Sequence, residues 1–311
     1  MRKSNRVLLT ALAAVSLLVT GAQVTATAGP TGASDAGEPI NTHWDRSGRV
    51  QITVYARTSH GQQVYRDHTV TLPDPDMVVV GGGAHAPIHG WGAMLTASYP
   101  TEDRRGWRAS SKDHLKVQPH SLTTYVIGMK IAGMSAAQLR EHVAVTSNPS
   151  DSAHQAETQV GPPRTGGPWV MLGGGFRVDW HGAGNLATAS FPVSEVGWKV
   201  RSKDHVTADK ASVTGYGMYI KQHLPVGTVG GIRVPRHGGP AGHPQAGADV
   251  GADYALTGGG AEVDYGSGWG NMLWRLQPSA APDRSFHAGS KDHIHDSPAK
   301  ITAWALGVQL F

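Results

Sequence analysis

Residues 173–217 read GGGFRVDWHGAGNLATASFPVSEVGWKVRSKDHVTADKASVTGYG, and the chain writes this stretch three times. Its landmarks are Gly173-Gly174-Gly175, Ser190-Phe191-Pro192, Gly197-Trp198, Ser202-Lys203-Asp204-His205 and Gly217-Met218. The earlier copy has Gly81-Gly82-Gly83, Ser98-Tyr99-Pro100, Gly106-Trp107, Ser111-Lys112-Asp113-His114 and Gly128-Met129. The later copy has Gly258-Gly259-Gly260, Gln277-Pro278, Phe286 in the tryptophan place, Ser290-Lys291-Asp292-His293 and Gly307-Val308. The triplets begin 92 and 85 residues apart, and the Lys-Asp-His groups 91 and 88 apart. Two strings recurring in register define a repeat architecture. The units are residues 49–134, 135–222 and 223–311.

Within the first unit, short β-branched and aromatic runs bounded by Gly, Pro, Asp or Ser read as six strands. They are Val50–Thr58, Gln63–Leu72, Met77–Gly82, Met94–Tyr99, Gly106–Ser111 and Leu122–Ile131. The later units show the last four clearly. Their first two are broken by the Gly/Pro stretches Gly161–Pro168 and Pro235–Pro244. One or two helical turns are expected around Ser135–His142. The expected fold is all-β: three homologous antiparallel units with pseudo-threefold symmetry, packed like a β-prism. The alternative is three small β-domains in tandem. Each glycine triplet closes an apolar strand, where it serves either as a bulge that turns the sheet or as a place where another backbone comes close.

Upstream of the repeats, Arg2, Lys3 and Arg6, the apolar Val7–Val19 and the small-residue run Ala26-Thr27-Ala28 read as a secretory signal peptide over residues 1–28. Residues 29–48 read as a flexible lead-in. No later stretch is long enough for a membrane helix. A secreted protein without membrane insertion is therefore expected. There is no cysteine, which excludes a disulfide framework and thiolate metal sites. Roughly 280 residues after the leader can bury a core by packing alone. The leader holds three of the 27 Lys and Arg, so 24 face 23 acidic residues afterwards, a net of +1. No basic run stands out, so nucleic acid is not an expected partner. The 17 His make net charge sensitive to mild acid.

Alternation along the fifth strand puts Trp198, Val200, Ser202 and Asp204 on one side, and Lys199, Arg201, Lys203 and His205 on the other. With the aromatic side on the core, Asp113, Asp204 and Asp292 point inward, to bond backbone N–H groups where the strand turns or to serve a ligand. Lys112, His114, Lys203, His205, Lys291 and His293 then point outward. If the third to sixth strands form a meander, the loop after each triplet lies at the same end as these residues. The loops carry Trp91, Trp180, Tyr265 and Trp269 beside His or acidic groups. Aromatic faces beside hydrogen-bonding groups suit a sugar ring, or else cap the core. The candidate ligand-binding set is these four aromatics with the three Lys-His pairs. The expected partner is an extracellular glycan or polymer.

No G-x-S-x-G, H-E-x-x-H, phosphate loop or dinucleotide fingerprint is present, and no cofactor is expected. The catalytic residues, if any, are not identified by motif. The His293-x-His295 spacing is a weak metal signal confined to the third copy. If the copies share an axis with the same end up, His114, His205 and His293 could converge on one metal or pocket. Asp179, Glu262, Asp264 and the motif aspartates offer carboxylates for glycoside hydrolysis without a decisive spacing.

The order Gly-Gly-Gly-Ala, Ser-x-Pro, Gly-Trp and a closing strand with Tyr and Gly resembles a repeat of exported actinobacterial β-rich proteins. The resemblance spans each copy from triplet to closing strand. Those proteins usually place a cysteine before the triplet and after the last strand, and an Asn-containing turn where this chain has Lys-Asp-His. The resemblance implies export and β structure, and transfers no site. Three functions follow as expectations: a multivalent lectin-like binder of a polysaccharide or envelope glycan; a secreted hydrolase or lyase using Lys and His as acid and base; or a structural coat protein. The deviations of copy three (Phe286, Trp274-Arg275-Leu276 and His295) fit the second, since catalysis usually needs one optimised site.

Overall fold

The computed structural model describes residues 34–311, so the expected signal peptide lies outside the described residues. The first sheet runs β1 (Glu38–Trp44), β2 (Val50–Gln62), β7 (His120–Ile131), β4 (Val78–His85), β18 (Met272–Pro278), β19 (Ser285–Lys291) and β16 (Gln245–Asp249). The second runs β3 (Val64–Thr71), β6 (Gly106–Lys112), β5 (Met94–Pro100), β10 (Trp169–Val178), β13 (Val213–Lys221) and β8 (Val143–Pro149). The third runs β14 (His223–Leu224), β15 (Gly227–Ala241), β20 (Ala299–Leu310), β17 (Ala255–Asp264), β11 (Leu186–Pro192), β12 (Trp198–Lys203) and β9 (Gln155–Val160). The one helix among the described residues, α1 (Ala136–His142), starts in a capping box between Ser135 and Gln138.

The protein is all-β, with three antiparallel sheets for three repeats. Each sheet is shared. Three or four of its strands come from each of two repeats, with β1 added at the edge of the first sheet, which excludes three domains in tandem. The seams are equivalent: Leu276 opposite Ala84, Phe176 opposite Ser98, and Ser190 opposite Ala261. This corrects the expected meander. The third strand of each repeat pairs with the sixth, and the fourth with the fifth, in different sheets. The loop after the triplet carries the chain from one sheet to the next.

The triplets sit where the seams meet, and both readings of them are realised. Each triplet begins at a register shift, between Val79 and Gly81, Met171 and Gly173, and Leu256 and Gly258. Each glycine also has its own close neighbour. A Cβ on Gly81 would strike Thr257 O, and one on Gly258 would lie 2.8 Å from Leu172 O, so the first glycines crowd one another around the axis. The second glycines lie under the motif aromatics: Gly82 under Trp107, Gly174 under Trp198, Gly259 under Phe286. The third glycines, Gly83, Gly175 and Gly260, lie against the carbonyls of Leu276, Ser98 and Ser190 in the neighbouring repeat.

The lead-in reading of residues 29–48 is corrected over its second half, which forms β1. Asn41 Nδ2 donates to Ser279 O and Asp283 O, and His43 Nε2 accepts the Leu256 N–H at 3.0 Å. Asp45 accepts from Val50 N and Leu310 N. The N-terminal strand thus ties the first repeat to the third.

Candidate functional site

The repeated Lys-x-His residues end β6, β12 and β19 and are not on a solvent rim. All six side chains, Lys112, His114, Lys203, His205, Lys291 and His293, are between 1 and 8 % exposed. Alternation assigns their face correctly relative to Trp107 and Trp198. It cannot show that the loop after the next repeat's triplet folds over that second face. Lys112 Nζ donates to Gly182 O and Ala183 O at 3.0 and 2.9 Å, Lys203 Nζ to Trp269 O at 2.6 Å, and Lys291 Nζ to Trp91 O. Each lysine therefore clasps the loop of the following repeat, and the third closes onto the first.

The histidines close the same circle one layer further along. His114 Nε2 donates to His205 O at 2.8 Å, His205 Nε2 to His293 O, and His293 Nε2 to His114 O. The ring centroids stand 5.3, 5.6 and 6.1 Å apart. The three imidazoles converge, but each Nε2 is spent as an N–H on a carbonyl rather than offered as a lone pair. Among the described residues no group of three His, Asp or Glu is arranged to hold a metal ion. His114 Nδ1 lies 2.8 Å from Ala183 O, and His205 Nδ1 lies 3.1 Å from Trp269 O. Burial pushes His114 and His293 down to about 4, with the neighbouring lysines and rings adding to the shift. Burial also pushes Lys112 and Lys291 down to about 8. These groups hold the repeats together, and their carbonyl partners leave them no acid–base role toward a polymer outside.

The motif aspartates are half-buried beside this ring. Asp113 Oδ2 accepts the Gln118 N–H and Asp292 Oδ2 accepts the Ser297 N–H, both at 3.1 Å. Asp204 pairs with His154 Nδ1 at 2.7 Å. Beyond each histidine the chain reverses through one residue of positive φ: Leu115 at 58°, Val206 at 62° and Ile294 at 68°. Lys116 N donates back to His114 O at 2.7 Å and Thr207 N to His205 O at 2.6 Å.

The loop aromatics are placed differently in each repeat. Trp180 is covered, with Arg66 over its ring at 4.0 Å and Lys112 at 3.9 Å. Trp91 and Trp269 are about half exposed, and Trp269 stacks on His295 with centroids 4.5 Å apart. His295 therefore packs against an aromatic ring. Tyr265 is half-buried, with Lys203 Nζ 5.1 Å from its centroid.

Tyr265 and Lys203 line a groove of about 820 Å³ at the seam between the second and third repeats. Its walls carry the Arg201–Glu262 ion pair, Asp264, Lys300, His237 and Thr302. The corresponding places at the other seams are occupied. Arg66 covers the first, where Ser110 and Arg177 stand for Arg201 and Glu262. At the third, Trp274 fills the space above Gly289, the counterpart of Arg201, and lies 5.3 Å from His85, the counterpart of Glu262. The deviations of copy three therefore close one seam.

Two of the carboxylates singled out from the sequence, Glu262 and Asp264, lie in the groove, while Asp179 is exposed and pairs with Arg177. His237 and Lys300 carry no signal in the sequence. They come from β15 and β20, outside the repeated strings, and only strand pairing brings them in, Lys300 opposite Asp264 and His237 opposite Thr302. No protein-family model and no curated protein matches this chain.

Proposed function

We propose that this is a secreted glycan-binding protein whose ligand lies along the seam between the second and third repeats. The observation that carries the reading is the open groove itself. It sets one aromatic face, Tyr265, among donors and acceptors of both kinds: Arg201, His237, Lys300 and Thr302 with Glu262 and Asp264. A sugar ring needs that combination, an apolar patch to stack on and paired polar groups for its hydroxyls. An open groove suits a polysaccharide chain better than a small molecule, which would need deeper enclosure. Of the Lys-His residues only Lys203 lines this groove, so the reading moves the ligand away from the other five and toward one principal groove, with binding at the other two seams opposed by Arg66 and Trp274.

The test is a screen of the purified full chain against immobilised plant, fungal and bacterial polysaccharides, repeated with Tyr265→Ala. At least one polysaccharide is expected to bind, with affinity falling about tenfold in the variant and an unchanged melting temperature. Retention of none of the polysaccharides, or equal binding by the variant, overturns the proposal.

A further inference from the structure

Lys203 is the one member of the buried lysine set that also lines the open groove. Its ammonium has three N–H donors, and its hydrogen bond is to Trp269 O. The equivalent Lys112 has two carbonyl acceptors and a tryptophan face at 3.9 Å, whereas Lys203 stands 5.1 Å from the Tyr265 centroid. The adjacent carboxylate, Asp204, is engaged with His154. Burial holds the Lys203 ammonium below its usual range, with Asp204 opposing the shift. Its charge is thus desolvated and incompletely answered by the protein.

The rest of the groove sharpens this. Arg201 is paired with Glu262, and Lys300 stands opposite Asp264 across the strand pair. Those four charges cancel, and the positive charge left over is that of Lys203. His237, which also lines the groove, has Nδ1 2.9 Å from Thr302 Oγ1. A buried cation at the wall of a polar trough is stabilised by an anion that arrives with the ligand.

We infer that the groove takes an acidic polysaccharide, whose carboxylate or phosphate substituent sits against Lys203 and the outer edge of Arg201 while a sugar ring lies on Tyr265. This rests on the glycan-binding reading above and names the class of glycan. A uronic-acid polymer and a phosphodiester-linked envelope polymer present the same chemistry, so the experiment separates them.

Affinity of the full chain is measured by calorimetry for polygalacturonate, a poly(glycerol phosphate) teichoic acid and a neutral β-glucan, at low and high salt. One of the two acidic polymers is expected to bind, and which one identifies the anion. Its affinity is expected to fall steeply with salt and about tenfold in Arg201→Gln, which lies outside the clasp. Lys203→Gln is expected to abolish binding. That change also loosens the clasp, so its binding result counts only where the melting transition is intact; otherwise Arg201→Gln decides. Binding of the neutral glucan in place of both acidic polymers, or acidic binding indifferent to salt and to Arg201→Gln, overturns the inference while leaving the glycan reading standing. Failure of all three probes together with the whole polysaccharide screen overturns both.

Discussion

Trp198 Nε1 donates to Ser190 Oγ at 3.0 Å, and Trp107 makes the same bond to Ser98 at 2.8 Å. In the third repeat Phe286 replaces the tryptophan, and Leu276 occupies the serine place, opposite Ala288 as Ser190 is opposite Val200. Donor and acceptor have been lost together, and an apolar pair fills the same position. Trp198→Phe alone strands a buried hydroxyl and removes ring volume over Gly174, so it should destabilise by about 1–3 kcal/mol. Adding Ser190→Leu should return about 1 kcal/mol of that. Urea titrations of the two single variants and the double variant check this. Strict additivity would mean that the exchange in the third repeat is accidental.

The second glycine of each triplet is a sharper constraint. A Cβ on Gly174 would overlap the Trp198 ring, a fully buried side chain with nowhere to retreat. Gly174→Ala should therefore cost about 3 kcal/mol or more, through overpacking at the axis. Gly48→Ala makes a useful contrast. Its Cβ would meet nothing within 4 Å, but φ is 67°, so its cost should be only about 1 kcal/mol, from backbone strain. Thermal melts of both variants rank them; a Gly174→Ala protein as stable as Gly48→Ala would remove the packing account of the triplet.

Much of this architecture can be read from the chain because two separate strings recur in register. The bounds of β2 to β7 and of α1 follow closely from their Gly, Pro and Asp punctuation. The exchange of half-sheets does not, because pairing between repeats depends on where β4, β10 and β17 bulge, and a bulge leaves no mark on alternation. β1 is hidden because Glu38–Trp44 carries a proline and only two apolar residues, Ile40 and Trp44, and is fixed by the side-chain hydrogen bonds of Asn41 and His43. The burial of Lys203 and His205 is hidden for a related reason. Alternation says which face a side chain takes, and only tertiary packing says whether a neighbouring repeat covers that face. Trp269 and Tyr265 are visible as loop aromatics, but their partners His237 and Lys300 belong to no repeated string.

The three positive-φ residues after the histidines make a prediction of opposite sign. Leu115 and Val206 hold a conformation that disfavours large side chains, and both remain about half exposed. Glycine adopts it freely but adds flexibility to the unfolded chain. Relief of strain should outweigh that loss at Val206, whose branched Cβ suits the conformation least. Val206→Gly is expected to be more stable than wild type by about 0.5–1 kcal/mol. Differential scanning calorimetry gives the answer, and a lowered transition would show that the exposed valine side chain packs more than its exposure suggests.

Acid should unfold this protein before its carboxylates titrate. His43, His114 and His293 are buried, and burial pushes each down to about 4 from an ordinary value near 6.5. The His43 contact is explicit, because Nε2 accepts the Leu256 N–H and a proton there would break the bond. Between these two limits the unfolded chain binds protons that the folded chain refuses. The stabilisation from neutral rings is therefore complete above about pH 6.5 and is lost progressively as pH falls toward 4. Each ring contributes up to about 1.4 kcal/mol per pH unit within that window; with His68 and His85, which burial also pushes down to about 4, five together reach about 7 kcal/mol per unit. Urea midpoints at pH 7.5, 6 and 5 should fall at both steps, more steeply per pH unit at the second. His43→Gln, which keeps an acceptor for Leu256 but cannot titrate, should flatten the slope by about a fifth. A midpoint independent of pH down to 5 would mean that these rings take up protons in the native protein as readily as in the unfolded chain, and would remove burial of neutral histidine as a source of acid sensitivity.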